Sequence, residues 1–371
     1  MSRILMYSTG QLYNEKRQTG GIKRFLELAK YLQKKENADF CSADDFHVLH
    51  ENGLLQTYKI EAHKTSKFLP PEASILIANK KLLRKIKKTK YTDIISFDVP
   101  PTVGLCLAGL RNITLMIRKD LIGYEKIRQT EHRNYFKLFY LWLSEFICMV
   151  LTKKIIVQCE YDKNNLINRH PLISSYLKKK ILVQINNVNP SWARNNEGSS
   201  KIDDGLFRIC FIGDFNEERK GHGILLPVAK KLSKYYNVHF DIIGGGRDLE
   251  KYSKEYESER IKFWGKVDNP IQILTLANLS VVPSLADSCP NTVLEALYNH
   301  IPVIGSNVGG IPEILNNGDA LFEMTEKSLY SKLEQLITNN EVLLRLAEQQ
   351  KGRTDELTFN WAEQISCMLR L

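Results

Sequence analysis

The chain has 371 residues, enough for two domains and at most three at roughly 150 residues each. Hydrophobic residues at 43% and charged residues at 25% exclude wholesale disorder and a polytopic membrane protein, which leaves a soluble, enzyme-sized chain. The net charge of +10 is unevenly divided: residues 1–200 hold 33 Lys+Arg against 18 Asp+Glu and residues 201–371 hold 19 against 24, so the first half suits an anionic partner.

From Met1 to Gly10, Tyr7 and Ser8 stand where a signal peptide needs an apolar core, and Ile4 to Tyr7 reads as a first strand. A Gly20-Gly21 turn and a helical pattern, Ile22 to Leu32, follow. Lys80 to Lys90 is the densest basic run, with Leu82, Leu83 and Ile86 at helical spacing; it reads as a basic amphipathic helix on an anionic membrane or as an ordinary solvated face. No zinc-finger, RRM or zipper pattern accompanies it, so nucleic acid is not an expected partner. Short buried strands are predicted at Ile94 to Phe97, Ile113 to Ile117 and Lys154 to Gln158. Leu138 to Leu151 is 14 residues long and holds Ser144 and Glu145, short of the ~20 residues of a membrane span, and reads as a buried or interfacial helix.

Asn186 to Gly205 is rich in Asn, Ser, Gly and Asp and is the predicted linker, giving domains at 1–186 and 206–371 with a linker at 187–205. Beyond it, strands are predicted at Phe207 to Ile212, Val238 to Ile243, Arg260 to Phe263, Leu279 to Val282 and Pro302 to Gly305. Strands alternating with helices imply two parallel α/β sheets, with ligand sought along a cleft faced by strand carboxyl ends. The seven cysteines (Cys41, Cys106, Cys148, Cys159, Cys210, Cys289, Cys367) form no C-x-x-C pair, as expected of reduced thiols in the cytoplasm.

Four stretches of the second half point to chemistry. Gly213 ends a strand, and Arg219-Lys220-Gly221 places cations before a helix, an arrangement suited to phosphate. Gly244-Gly245-Gly246 ends the next strand, either as a close approach for ligand or as a plain tight turn. In Pro283 to Leu297, Ser288 is the predicted N-cap and Pro290 lies in the first helical turn. Glu295 then falls about 7.5 Å further along the axis, so a diphosphate at the helix start would leave a ribose beside it. Between Val293, Leu294, Ala296 and Leu297, Glu295 is expected to be buried and to need a hydrogen-bonding partner such as a ribose diol. Val303 to Glu313 ends a strand in a Gly-rich turn that opens a helix.

Together with Asp287, eight residues before Glu295, these stretches resemble glycosyltransferase family 4, whose members are retaining, nucleotide-sugar-dependent enzymes. Gly20-Gly21 with Arg24, and Ile185 to Asn189, are similar to that family's N-terminal glycine loop and linker. The resemblance implies the GT-B fold, two Rossmann-like domains facing a cleft, with a C-terminal helix that can cross back to the first. It implies that Glu295 binds the donor ribose, Asp287 reaches the transferred sugar, and Lys220 with Arg219 holds the diphosphate. Donor contacts are implied at Gly20, Gly21, Gly213, Gly244, Gly245 and Ser288 and at the amides of Asn291, Thr292 and Val293. Arg24, Arg118 and Asp120 are candidates for acceptor or sugar. Three positions depart from the family: Asp214 stands where Arg is usual, Asp287 replaces Glu, and Arg118-Lys119-Asp120 follows the strand after which many members carry His.

The resemblance implies sugar transfer from a UDP- or GDP-linked donor, with retention and without cofactor or metal, and the lack of a D-x-D sequence fits metal independence. The acceptor would be a glycan or lipid-linked sugar in bacterial surface polysaccharide assembly, handled in the cytoplasm or on the inner face of an anionic membrane. The alternatives are a catalytically silent nucleotide-sugar-binding subunit of a glycosylation complex, suggested by Asp214 and the missing His, and an epimerase on the same fold.

Overall fold

The computed structural model describes residues 3–9, 20–51, 53–55, 57–61, 71–129, 134–188, 205–216 and 218–370. Most of the predicted linker, residues 189–204, lies outside them. The chain forms two units. The first comprises Met1–Ile122, His132–Gln184 and Asn360–Leu371, and the second Gly123–Glu131 and Ile185–Phe359.

Among the described residues the first unit holds one parallel sheet of seven strands: β1 (Arg3–Tyr7), β2 (Asn37–Ser42), β3 (Tyr58–Lys59), β4 (Asp93–Phe97), β5 (Ile113–Ile117), β6 (Lys154–Val157) and β7 (Ile181–Val183), in the order β3-β2-β1-β4-β5-β6-β7. The second unit holds six: β8 (Phe207–Ile212), β9 (Val238–Ile243), β10 (Ile261–Gly265), β11 (Leu279–Val282), β12 (Val303–Ser306) and β13 (Leu321–Phe322), in the order β10-β9-β8-β11-β12-β13. Every residue of β4, β5 and β9 is buried, as expected of parallel strands covered by helices on both faces. Both orders reverse beside the first strand of the unit, which is where open α/β sheets take ligands at the strand carboxyl ends.

Three expectations are corrected here. Gly20 and Gly21 are the opening residues of the Gly20–Lys35 helix rather than a turn before it. The second unit ends at Phe359, not at residue 371. The amphipathic Trp361–Arg370 helix buries Trp361, Ala362, Ile365 and Leu369 and belongs to the first unit, where Lys154 Nζ donates to the Met368 and Leu369 carbonyls at 2.9 and 2.8 Å. In the opposite sense, residues 123–131 belong to the second unit, as do Ile185 to Val188, where Val188 is buried and its N–H bonds the Leu357 carbonyl at 2.9 Å.

The basic Lys80–Thr89 helix takes the second of its two readings. Leu83 and Ile86 are buried in the first unit's core and Leu82 packs against it, so its apolar stripe faces inward and its lysines face water. Among the described residues no helix is long and apolar enough to cross a membrane.

Candidate donor site

The site is built at the carboxyl edge of the second sheet, where β8 and β11 adjoin. The loop after β8 contains a short turn, Glu218–Lys220, and Gly221 then caps the His222–Tyr235 helix. Gly221 has φ +76°, and a Cβ there would lie 1.7 Å from the Pro283 carbonyl oxygen, so only glycine lets this loop close on the loop after β11. The contact continues as the Leu285 N–H bonds the Arg219 carbonyl at 2.7 Å.

This closure brings Lys220 and Arg219 onto Asp287. Lys220 Nζ donates to Asp287 Oδ2 at 2.7 Å and Arg219 Nη1 to the same oxygen at 3.0 Å. Arg219 also donates to the Ala286 carbonyl at 3.3 Å. The Asp287 carbonyl in turn accepts from the Gly310 N–H at 3.0 Å, which ties the Gly-rich turn after β12 to the same loop. Burial alone would raise the Asp287 pKa, but Lys220 and Arg219 outweigh it and hold the carboxylate below its ordinary value. Its pairing therefore stabilises the fold above the ordinary carboxylate range and is lost as pH falls through the lowered value. Two cations on one carboxylate, beside two helix starts, are an arrangement fit for an anion.

The helix after this loop starts two residues later than the predicted Ser288 cap implies. It runs Asn291–Tyr298 with Pro290 as its N-cap, so Ser288 is not the cap; its hydroxyl is buried. Of the three implied amides, the Val293 N–H is taken by the Pro290 carbonyl at 3.2 Å, whereas Asn291 and Thr292 are first-turn residues whose N–H groups have no helical acceptor. Asn291, Thr292, Glu295 and Tyr298 form the half-buried face, while Val293, Leu294, Ala296 and Leu297 are buried. Glu295 is thus half-buried rather than buried, about 6 Å along the axis from Asn291 and on its face. Ser284 Oγ, Ser288 Oγ and Asn291 Oδ1 are buried atoms with no hydrogen-bond partner among the described residues.

The first glycine of the Gly244–Gly246 turn packs against the loop after β8. Gly244 has φ +150°, and a Cβ there would lie 1.7 Å from the Gly213 carbonyl oxygen; Gly213 N–H bonds the Ile243 carbonyl, and Phe215 N–H bonds the Gly245 carbonyl, both at 2.9 Å. The glycines lock the loops after β8 and β9 together. Asp214 is exposed, and its Oδ1 accepts from the Asn216 backbone N–H at 2.7 Å and the Asn216 amide at 2.6 Å. His222, next to Lys220-Gly221, is buried, with its ring 4.8 Å from that of Phe215 and 4.6 Å from that of Tyr252; burial lowers its pKa.

Two residues of this site were not among the sequence candidates. Tyr124, from the 123–131 stretch, places its ring 4.9 Å from the Arg219 guanidinium. Ser284 contributes the buried hydroxyl noted above, and its carbonyl accepts from Ser306 Oγ at 2.6 Å. Ser284 lies within a quoted motif, but no sequence signal pairs Tyr124 with Arg219.

The remaining candidates lie in the first unit. Arg24 is buried, pairs with Glu27 at 3.2 Å and lies 5.5 Å from the Trp361 ring. Arg118 packs against Gly21 and pairs with Asp98 through Nη2 at 2.6 Å and Nε at 3.2 Å; Asp98 is held at φ +65°. Asp120 accepts from Arg169 Nη1 at 2.8 Å, and Arg169 also binds Glu145 through two nitrogens at 3.0 Å each.

Comparison with known proteins bears on the fold and on the second unit's sequence. Residues 207–339 match the family model described as Glycosyl transferases group 1. The O-antigen biosynthesis glycosyltransferase WbnH of Escherichia coli is 26% identical over 178 residues, covering 48% of this chain and 50% of that protein, so the chain spans about half of WbnH. The capsular polysaccharide biosynthesis glycosyltransferase CapM of Staphylococcus aureus is 27% identical over 237 residues, covering 59% and 60%. Among solved structures, Anabaena Alr3699/HepE in complex with UDP-glucose superposes with a TM-score of 0.74 at 14% identity over 100% of both chains. The chain therefore has the GT-B fold of two Rossmann-like domains, and its residues 207–339 match the model of the group 1 glycosyl transferases.

Proposed function

We propose that the chain is a retaining glycosyltransferase of family 4. It moves a sugar from a UDP- or GDP-linked donor to a glycan or lipid-linked acceptor in bacterial surface polysaccharide assembly, on the inner face of an anionic membrane. The observation that carries this reading is the pairing of Lys220 and Arg219 with Asp287 in the loop leading to the helix that bears Glu295. The surface-polysaccharide names of WbnH and CapM and the UDP-glucose held by HepE support the donor and the pathway class.

In this reading the donor diphosphate lies over Lys220, Arg219 and the Asn291 and Thr292 amides. As the glycosidic bond breaks, the departing diphosphate gains negative charge, which these fixed donors stabilise without reorganising. Glu295, one turn along the same face, takes the ribose hydroxyls. Ser284 and Ser288 offer buried hydroxyls, and a buried polar atom without a partner carries a desolvation cost that a bound ligand's oxygens remove. Asp287, kept ionised by its two cations, presents a carboxylate to the sugar. The exposed Asp214 is bound by Asn216, which lessens its repulsion of phosphate.

The test is a screen of UDP- and GDP-sugars with candidate acceptors, reading the anomeric configuration of the product by NMR, with and without chelator. Transfer with retention, unchanged by chelator, is expected. An inverted product rejects the retaining assignment. Binding of a donor with no turnover under any acceptor assigns the silent subunit, and an interconverted sugar nucleotide without acceptor assigns an epimerase.

A further inference from the structure

The helix Tyr135–Leu151 in the first unit buries Ser144, Glu145, Cys148 and Met149 on its inner face. Its outer face is aromatic and open to water. Phe136, Phe139 and Leu143, spaced as i, i+3 and i+7, are 90%, 61% and 40% exposed. Behind them the rings of Phe139, Trp142 and Phe146 stack at 6.1 and 5.6 Å, and Trp142 and Phe146 both lie against the His170 ring, at 5.5 and 5.8 Å. Two residues beyond His170, Leu172 is 99% exposed. Exposed aromatic residues grouped in this way mark a surface that is covered in use.

Charge decides what covers it. The helix's single acid, Glu145, is buried and bound by Arg169 and by His170 Nε2 at 2.9 Å, so it contributes no negative charge to the outer face. Lys137 lies at one end of the helix, and Lys178 and Lys179 are exposed on the Ser174–Lys180 helix that follows Leu172; no acidic residue occurs from 170 to 180. A two-fold contact with a second copy would bring one lysine-bearing face onto another, a like-charge cost that an anionic partner does not carry. An anionic lipid surface takes both, with Phe, Trp and Leu entering the headgroup boundary and lysines meeting phosphates. At 17 residues the helix would lie along the bilayer rather than span it.

We propose that the Phe136, Phe139, Leu143 and Leu172 surface is the face through which the protein docks on an anionic bilayer, in place of the basic Lys80–Thr89 helix, whose apolar stripe is buried in the core. This rests on the reading of a membrane-bound acceptor and names the surface that meets the membrane.

The experiment is flotation of the full chain with vesicles of phosphatidylcholine alone and of phosphatidylcholine with phosphatidylglycerol. Wild type is compared with Phe136→Ser/Phe139→Ser and with Lys81→Gln/Lys88→Gln on the basic helix. Wild type should float with the anionic vesicles and less as salt rises. The aromatic double variant should partition about tenfold less, and the lysine variant within about twofold of wild type. Circular dichroism and titration with sugar nucleotide, each unchanged in the aromatic variant, show that it remains folded. An aromatic variant that floats like wild type overturns the surface assignment. Wild type that floats with neither vesicle overturns the membrane docking, while sugar transfer in solution is judged separately by the donor screen. A vesicle-free dimer that the aromatic variant converts to monomer assigns the face to a second copy and also overturns the proposal.

Discussion

The two sheets share one strand order, yet their carboxyl edges balance charge in opposite ways. In the second unit Lys220 and Arg219 both bond one oxygen of Asp287 next to two helix starts, two cations on one carboxylate. In the first unit Arg118 is matched by Asp98, and Arg169 faces both Asp120 and Glu145. A buried charge is costly unless a counter-charge meets it, and a matched cluster is complete by itself. The comparison teaches that the fold supplies two equivalent edges and that side-chain charge is what distinguishes the one we propose for the nucleotide diphosphate.

The largest expected effect comes from removing one of those two cations. Lys220→Ala should lower kcat/KM by roughly 100-fold or more while the protein still folds, because a fixed donor to the departing diphosphate is lost. Steady-state kinetics with the preferred donor, alongside a thermal melt, checks this.

The matched cluster should answer in the other currency. Asp98→Ala leaves Arg118 without its carboxylate and puts alanine at φ +65°, so it should cost about 2 kcal/mol of stability with donor affinity unchanged. Chemical denaturation and donor titration on the same variant decide it. A large loss of donor affinity with stability intact would break the contrast between the edges.

A smaller effect concerns pH. Burial between Phe215 and Tyr252 lowers the His222 pKa below its unfolded value of about 6.5. The unfolded chain then binds the extra proton first, so this residue's contribution is full above that value and falls as pH drops below it. His222→Phe should flatten the fall in melting temperature on the acid side of pH 6.5 (the ordinary His value of about 6.5), measured against wild type in parallel buffers.

The smallest effect is expected at Asp214. Because Asn216 already binds its carboxylate and it is exposed, Asp214→Asn should change donor affinity by less than about threefold. A gain above tenfold would show that this charge opposes the donor and would sharpen the interest in the family's usual Arg there.

Much of the fold was legible because β1, β4, β5, β6, β8, β9, β11 and β12 contain short apolar runs that mark buried parallel strands. The missed strands lack that signal. In β2, Asp39 is met by Arg3, Thr57 and Tyr91, so a polar residue is accommodated by partners remote in sequence. β3, β7 and β13 are only two or three residues long. At the site, spacing alone placed Lys220, Asp287 and Glu295 on the loops and helix where they stand. What spacing could not show is tertiary: the shared oxygen of Asp287, the capture of Asp214 by Asn216, Tyr124 beside Arg219, and the burial of Arg24 against Trp361 of the C-terminal helix. The aromatic helix was read as buried or interfacial; its inner face is buried and its outer face is exposed.

The central claim is that the loop cations and Glu295 grip one sugar nucleotide together. Isothermal titration of wild type, Lys220→Ala and Glu295→Ala with the donor found by the screen tests it most directly. The account predicts saturable one-to-one binding by wild type and at least a roughly tenfold weaker constant for each variant. Equal affinities across all three proteins would contradict it.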